Sequence, residues 1–439
     1  MFINKIKNVT TIIVFSILLL SCSSLRNEND IDSDETPKNN NPNILLIIAD
    51  DMGLDATPNY PQGNIKPNMP NLQALMSTGL TFDNLWSYPV CSPTRASILT
   101  GKYGSKTNVM EAGDLLSTTE TSIQKFIKDG TSNKYASAII GKWHLTNSGV
   151  DPALMDIDYF AGLIRGGVQS YTNWSLNING ESTNSTEYTT SKFTDLAIEW
   201  VDAQTKPWFL WLAYNAPHTP FHLAPQNLHS QGVLSTDSGS INANPMPYYM
   251  SAIEAMDTEI GRLLNNLTSE EKANTIIIFI GDNGTPNQVA QSPFSRTKSK
   301  NSIYQGGINV PMVISGFGVN RIGERETGLI STTDLFSTIA TISGVSTSTK
   351  ENSTSFYSLF SNEDSNSREF VYTEISNNGI GYAVRNQNYK LIKFDNGTEE
   401  LYNLNSDPYE NSNLIGTTLT ADASSAKAAL EAEALRIRN

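Results

Sequence analysis

The run Asn43-Ile44-Leu45-Leu46-Ile47-Ile48-Ala49, followed at once by Asp50-Asp51, constrains the fold more than any other stretch of the chain. A strand with no charge and no apolar–polar alternation cannot turn one face to water. It is buried on both faces, as strands inside parallel sheets are. Similar runs recur at Tyr135–Ile140, Trp208–Ala213, Thr275–Ile280 and Pro311–Ile314. Helical patterns lie between them. The clearest spans Tyr248–Leu267, where Tyr249, Ala252, Ile253, Met256, Ile260, Leu263, Leu264 and Leu267 share one face. Strands alternating with helices specify an α/β architecture, a mostly parallel central sheet with helices on both faces. Leu329–Gly344 reads as its closing helix. From Glu369 onward the pattern changes to short strands, Phe370–Ile375, Tyr382–Arg385 and Tyr389–Phe394, separated by turn residues. That is an antiparallel meander, and the alanine-rich Ala421–Arg438 reads as a terminal helix.

The beginning of the chain follows a different logic. Lys5 and Lys7 precede the apolar stretch Val9–Leu20, which is too short to span a membrane comfortably and reads as a secretion signal. Its end, Leu19-Leu20-Ser21-Cys22, resembles a bacterial lipobox, where cleavage leaves a lipidated cysteine; an ordinary signal peptide or an uncleaved anchor is the alternative. The expected organisation is a lipoprotein signal peptide over residues 1–22 and a polar tether over 23–42. A catalytic domain over 43–345 and a C-terminal α+β subdomain over 346–439 follow. Lipidation at Cys22 would make this an exported bacterial lipoprotein, held by its membrane anchor at the outer membrane or cell surface or in the periplasm. With one of the two cysteines lipidated, no disulfide is expected. The net charge of −14, with no basic block, argues against nucleic acid as a partner.

Charged residues gather just after the strands, where open α/β sheets bind ligands. Asp50 and Asp51 follow the first run, and Asp282 and Asn283 follow Thr275–Ile280. One such Asp is usually a turn or cap residue. Three carboxylates and an amide converging would repel one another without a hard cation among them, and oxygen-only ligation suits Ca²⁺ or Mg²⁺. Of four histidines, His144 follows the strand Tyr135–Ile140 and His218 follows Trp208–Ala213, while His222 lies in the same loop as His218.

Cys91-Ser92-Pro93-Thr94-Arg95 opens another helical run, and packing alone does not require a proline and an arginine at those offsets. This pentapeptide resembles the signature of the formylglycine-dependent (type I) sulfatases of the alkaline phosphatase superfamily. Gly141-Lys142-Trp143-His144, Ala216-Pro217-His218 and Lys300 before Gln305-Gly306-Gly307 resemble further motifs of that family in the same order, although Gln305 replaces an acidic residue. The resemblance implies an alkaline-phosphatase-like fold and a sulfuric ester hydrolase. It implies that a maturation enzyme oxidises Cys91 to 3-oxoalanine, whose hydrate is the nucleophile. Asp50, Asp51, Asp282, Asn283 and the side chain at 91 would ligate one Ca²⁺, with Mg²⁺ the alternative. Arg95 would hold the nucleophile, and Lys142 and Lys300 would clamp the sulfuryl oxygens. His218 would protonate the leaving alcohol and His144 would deprotonate the sulfated hydrate. The expected substrate is an extracellular sulfated polysaccharide or oligosaccharide, with His222, Arg165 and Trp174 as further contacts and Arg165–Trp174 and Leu223–Pro247 as substrate loops. Two rivals stand beside this reading: a phosphodiesterase or phosphonate hydrolase on the same fold, and an unmodified glycan-binding lipoprotein.

Overall fold

A computed structural model of the chain describes residues 41–347, 352–363, 368–376 and 381–439. The expected leader, Cys22 and nearly all of the expected tether lie outside the described residues. Eleven strands form one sheet: β1 (Asn43–Ala49), β2 (Gly79–Trp86), β3 (Ala136–Lys142), β4 (Tyr159–Leu163), β5 (Trp174–Ile178), β6 (Glu181–Ser185), β7 (Trp208–Ala213), β8 (Thr275–Gly281), β9 (Asn309–Gly316), β10 (Glu324–Glu326) and β11 (Ile330–Ser331). Their order is β10-β2-β9-β8-β1-β7-β3-β4-β5-β6, with β11 also on β2.

The four central strands β8, β1, β7 and β3 are parallel, and all seven residues of β1 are buried. Side chains alternate across a strand, so β1 feeds two cores. Leu45, Ile47 and Ala49 pack in a cluster with Tyr249, Ile253, Met256 and Ile260 of the helix Met246–Asn266. Ile44, Leu46 and Ile48 share the opposite cluster with Ile98 and Leu99 of the helix Cys91–Thr100, and with Leu335, Phe336 and Ile339 of the helix Asp334–Ile342. Truncating such a side chain, as in Leu46→Ala, costs about 2–5 kcal/mol because the surrounding layers cannot collapse into the hole.

Two expectations need correction. The run at Pro311–Ile314 belongs to β9, which is antiparallel to both β8 and β2. The expected helix Leu329–Gly344 is shorter, because Ile330–Ser331 pairs with β2 and the Asp334 carboxylate accepts from the Ser331 N–H at 2.8 Å, starting the helix at Asp334.

The C-terminal part carries a second, antiparallel sheet of β12 (Val371–Glu374), β13 (Tyr382–Arg385), β14 (Tyr389–Lys393) and β15 (Glu399–Asn403) in sequential order. The helix Ala421–Arg438 covers it, placing Leu430, Ala434 and Ile437 against Val384, Leu391 and Leu401. This part also braces the larger sheet. Lys390 and Glu410 form a buried ion pair at 2.5 Å, and Glu410 accepts from the Gln305 N–H at 2.7 Å, holding the segment that follows Lys300.

Candidate active site

Register alone brings the charged residues together. Ala49 on β1 lies opposite Gly281 on β8, so Asp50-Asp51 and Asp282-Asn283 leave the sheet side by side. Ile48 and Gly141 both lie opposite Ala213 on β7, which puts Lys142, His144 and the Asn215–His218 loop at the same edge. The backbone turns abruptly there: Asp51 (φ 72) and His144 (φ 58) both adopt the left-handed conformation. Non-glycine residues rarely do so, and the strain concentrates at functional sites.

The helix Cys91–Thr100 approaches this edge with its N-terminal end, and every one of its residues is buried. Pro93 sits in the first turn, where a missing N–H costs nothing. Cys91 and Arg95, four residues apart, share a helix face. Cys91 Sγ lies 3.1 Å from His144 Nδ1. The Arg95 guanidinium donates to Asp282 at 2.8 Å and to the Lys142 carbonyl at 2.7 Å. Lys142 Nζ lies 2.6 Å from Asp50, and Lys300 Nζ lies 2.6 Å from Asp51. Lys298 is elsewhere: its ammonium meets the Glu410 carbonyl and lies 4.4 Å from the centre of the Tyr304 ring. Gln305, at the position of the missing acid, accepts from Trp86 Nε1 at 2.9 Å.

Three carboxylates thus face three cations in a largely buried pocket. Burial pushes the Asp282 carboxyl up to about 7, with the Asp50 charge adding to the rise against Arg95. Burial also acts on Asp51, but Lys300, His218 and Lys142 outweigh it and hold that carboxyl well below the usual range. For Lys142, burial favours the neutral amine, and Asp50 reverses this to raise its pKa. Burial, with Lys142 second, drives His144 down to about 2, so its imidazole is neutral. Burial likewise raises the Cys91 thiol, suppressing the thiolate.

The donor set fits a hard cation. Asp50 Oδ1 and Asn283 Oδ1 are buried and accept no hydrogen bond from any described residue. Buried oxygens without partners are costly unless a cation or water uses them. Asp50, Asp51 and His218 each bring a ligand-type atom within 4.8 Å of the others. His218 Nδ1 lies 2.8 Å from the Thr219 carbonyl, so Nδ1 carries the hydrogen, and Nε2, 3.8 Å from Asp51, faces the site.

The structure does not bring every expected residue into the site. Trp174 is largely buried, its ring edge-to-face with Phe193 and its Nε1–H donating to the Glu187 carbonyl at 2.8 Å, so it offers little ring face, although it contributes to the lining of the cleft beside Arg165. His222 is spent on protein contacts. Its ring stacks on Tyr171 at 3.7 Å, Nδ1 donates to the Pro220 carbonyl, and Nε2 accepts from Tyr188. Tyr171, in the expected substrate loop, is also buried, and its one hydroxyl hydrogen is shared between the carbonyls of Asn215 at 2.7 Å and His218 at 2.6 Å. It positions the His218 loop. Gly166 is a further positioning residue that the sequence did not single out. A Cβ there would lie 2.3 Å from the His144 ring, so only glycine leaves that ring in place. Arg165 is exposed and precedes Gly166, lining a cleft beside the β5–β6 hairpin.

Comparison with known proteins agrees with this geometry. The sulfatase family profile matches residues 42–345, and that of the N-sulphoglucosamine sulphohydrolase C-terminal region matches 297–436. An ulvan-active sulfatase of Formosa agariphila is 26% identical, over 92% of this chain and 82% of that protein. An uncharacterised sulfatase of Escherichia coli is 28% identical over 68% of this chain, and rat arylsulfatase G is 25% identical over 70%. The chain spans under two thirds of those last two relatives, 61% and 65%. A structure solved with k-i-k-neocarrahexaose superposes with a TM-score of 0.76 at 23% identity, covering 89% of this chain and 92% of that one. Another, solved with D-glucosamine-2-N,6-O-disulfate, gives 0.76 at 20% identity, covering 90% and 98%. These two likenesses concern the fold. From the profile match over most of its length, the chain belongs to the sulfatase family, of the formylglycine type within the alkaline phosphatase superfamily.

Proposed function

We propose that the protein is a sulfuric ester hydrolase that removes sulfate from an extracellular sulfated glycan, using 3-oxoalanine formed from Cys91. The observation that carries this reading is the position of Cys91. It lies at a buried helix start, 3.1 Å from a neutral His144 and beside Arg95, Lys142 and Lys300, with its own thiolate suppressed by burial. A thiol so placed is a poor nucleophile at neutral pH. An aldehyde hydrate at the same position needs no thiolate and offers two hydroxyls.

One hydroxyl, having lost its proton to solvent before the ester binds, attacks sulfur through its oxygen while the bond from sulfur to the sugar oxygen breaks. His218 Nε2 faces the pocket and delivers a proton to that departing oxygen, which a sugar alcohol needs. Lys142 and Lys300 stabilise the charge on the sulfuryl group, and Arg95, one helical turn from residue 91, holds the nucleophile. His144, whose Nδ1 lies 3.1 Å from the side chain at 91, accepts the proton of the second hydroxyl, so the adduct expels sulfate and the aldehyde reforms. A hard cation, Ca²⁺ in this proposal, would be held by Asp50, Asp51, Asp282, Asn283 and the oxygens at 91, adding positive charge and lowering the pKa of the nucleophile. With three carboxylates already matched by three cations, such an ion makes the pocket net positive, as an anionic ester requires. The field of a chain with net charge −14 is screened within about 10 Å at 0.1 M salt, so the local cations prevail.

Three measurements test this proposal. Purified protein co-expressed with a maturation enzyme should hydrolyse an aryl sulfate far faster than an aryl phosphate diester; the reverse preference would move the reading to a phosphodiesterase. His218→Ala should lose about 10²–10⁴-fold on a sulfated sugar and much less on the aryl sulfate, whose leaving group needs little protonation. Equal losses would remove His218 from the acid role. Export and lipidation at Cys22 complete the proposal and rest on the leader sequence. Membrane fractionation of wild type against Cys22→Ala tests them, and a wholly soluble wild type cleaved at another residue would exclude the anchor.

A further inference from the structure

Two clefts lie beside the His218 loop, one including Gly167 and the other Thr219 and Pro220, and their linings share an unusual chemistry. The first, of about 720 Å³, lies between the segment after His144 and the β5–β6 hairpin, lined by Asn147, Arg165, Gly167, Gln169, Asn173 and Asn184 among others. It reaches His218 at Gly167, where a Cβ would stand 3.5 Å from the His218 ring. The second, of about 590 Å³, begins at Thr219 and Pro220, immediately after His218, and runs past Phe221, Ile241 and Gln288 to Arg296, four residues before Lys300.

Neither lining contains a carboxylate, in a chain with 44 acidic and 30 basic residues. Each contains one arginine, exposed, whose guanidinium is engaged by no other described residue. A third cavity shows the contrast: there Arg325 is already paired with Asp83. Side-chain amides in the first cleft match sugar hydroxyls as donors and acceptors, and the apolar wall of the second suits the face of a sugar ring. An exposed, unpaired guanidinium is a planar fork for a carboxylate or a sulfate.

We infer that the substrate is an oligosaccharide that crosses the site, with sugars on both sides of the one desulfated lying in these two clefts and carrying acid groups that Arg165 and Arg296 bind. The inference rests on the hydrolase reading and assigns that reaction to sugars within a chain. The trimmed end of a glycan or an isolated monosaccharide would leave at least one cleft empty.

The test measures sulfate release by active protein from ulvan, carrageenan and chondroitin sulfate oligosaccharides of two to eight sugars, with an aryl sulfate as reference. For the glycan it accepts, kcat/KM should rise about tenfold or more from disaccharide to hexasaccharide. Arg165→Gln and Arg296→Gln should each raise KM for the hexasaccharide roughly 3- to 30-fold relative to the aryl sulfate, the range expected of a charge-assisted contact, and high salt should shrink the effect. A disaccharide processed as well as a hexasaccharide, or a glycan-to-aryl ratio unchanged in both variants, overturns the inference. An effect confined to one arginine overturns the two-sided placement. Protein that hydrolyses the aryl sulfate but none of the oligosaccharides refutes the clefts' role while leaving the hydrolase reading intact. Protein that hydrolyses no sulfate ester refutes the reading itself.

Discussion

Replacing Tyr171 by Phe isolates one hydroxyl that holds the His218 loop. The ring is only 2% exposed, and the substitution keeps it, including its stacking on His222. What disappears is a donor 2.6 Å from the His218 carbonyl and 2.7 Å from that of Asn215. The Asn215 carbonyl retains the His218 N–H at 2.9 Å, so the deficit falls mainly on the carbonyl of His218 itself. Leaving one buried carbonyl without its donor costs about 1–3 kcal/mol. A catalytic group loosened by a fraction of an ångström loses activity steeply, so kcat/KM on a sulfated sugar should fall by about tenfold or more. The aryl sulfate should be affected less, because its leaving group depends less on His218. Urea unfolding at fixed metal concentration gives the stability term, and paired kinetics on the two substrates give the catalytic one. If Tyr171 acts through His218, adding Tyr171→Phe to His218→Ala should cost almost no further activity. An unchanged unfolding midpoint, or equal losses on both substrates with full additivity, would refute the assignment.

Three more outcomes follow from named contacts. Burial, opposed by the hydrogen bond to the Pro220 carbonyl, lowers His222 to about 4 from an unfolded value near 6.5. The folded state therefore binds fewer protons between those values, and stability present above pH 6.5 is lost as pH falls toward 4. Linkage puts the His222 share of the loss at about 2 kcal/mol by pH 5, so the urea midpoints of His222→Phe should show a shallower pH slope, with His144 still contributing its own part; identical pH slopes would contradict it. Gly166→Ala should displace the His144 ring and reduce turnover about tenfold or more, and a fully active variant would mean the ring tolerates the shift. Ca²⁺ at about a hundredfold above its Kd should stabilise the protein by roughly 2.7 kcal/mol, and Asp282→Ala should abolish both that gain and turnover. Full activity in exhaustively chelated, metal-free protein would end the metal assignment.

The sheet was legible because parallel central strands have to be apolar on both faces, and the residues that follow them have to meet at one edge. Asp50, His144, His218 and Asp282 were found this way, since neighbouring strands in register leave no other place for them. Strand direction was not legible: the apolar run of β9 reads the same whether parallel or antiparallel. β15 was not legible because Glu399-Glu400-Leu401-Tyr402-Asn403 does not alternate apolar with polar; Leu401 and Tyr402 are both buried, and pairing with β14 makes the segment a strand. Within the loop from Arg165 to Trp174, the inward turn of two aromatic residues was not legible for a different reason. Aromatic residues in a polar segment look like binding platforms, yet Tyr171 and Trp174 fold inward, the first onto the His218 loop and the second onto Phe193. Burial of that kind is set by partners distant in sequence. The need for glycine at 166 was invisible for the same reason, since it depends on a ring contributed by a loop more than twenty residues earlier.

The most direct test of the central claim is intact-peptide mass spectrometry across residue 91 of enzyme whose sulfate-releasing activity has been measured on the same preparation. Active protein should carry 3-oxoalanine in place of the Cys91 thiol, with activity rising in proportion to the converted fraction, and unconverted protein should be inert. Full sulfate release by protein whose Cys91 thiol is intact would contradict the account.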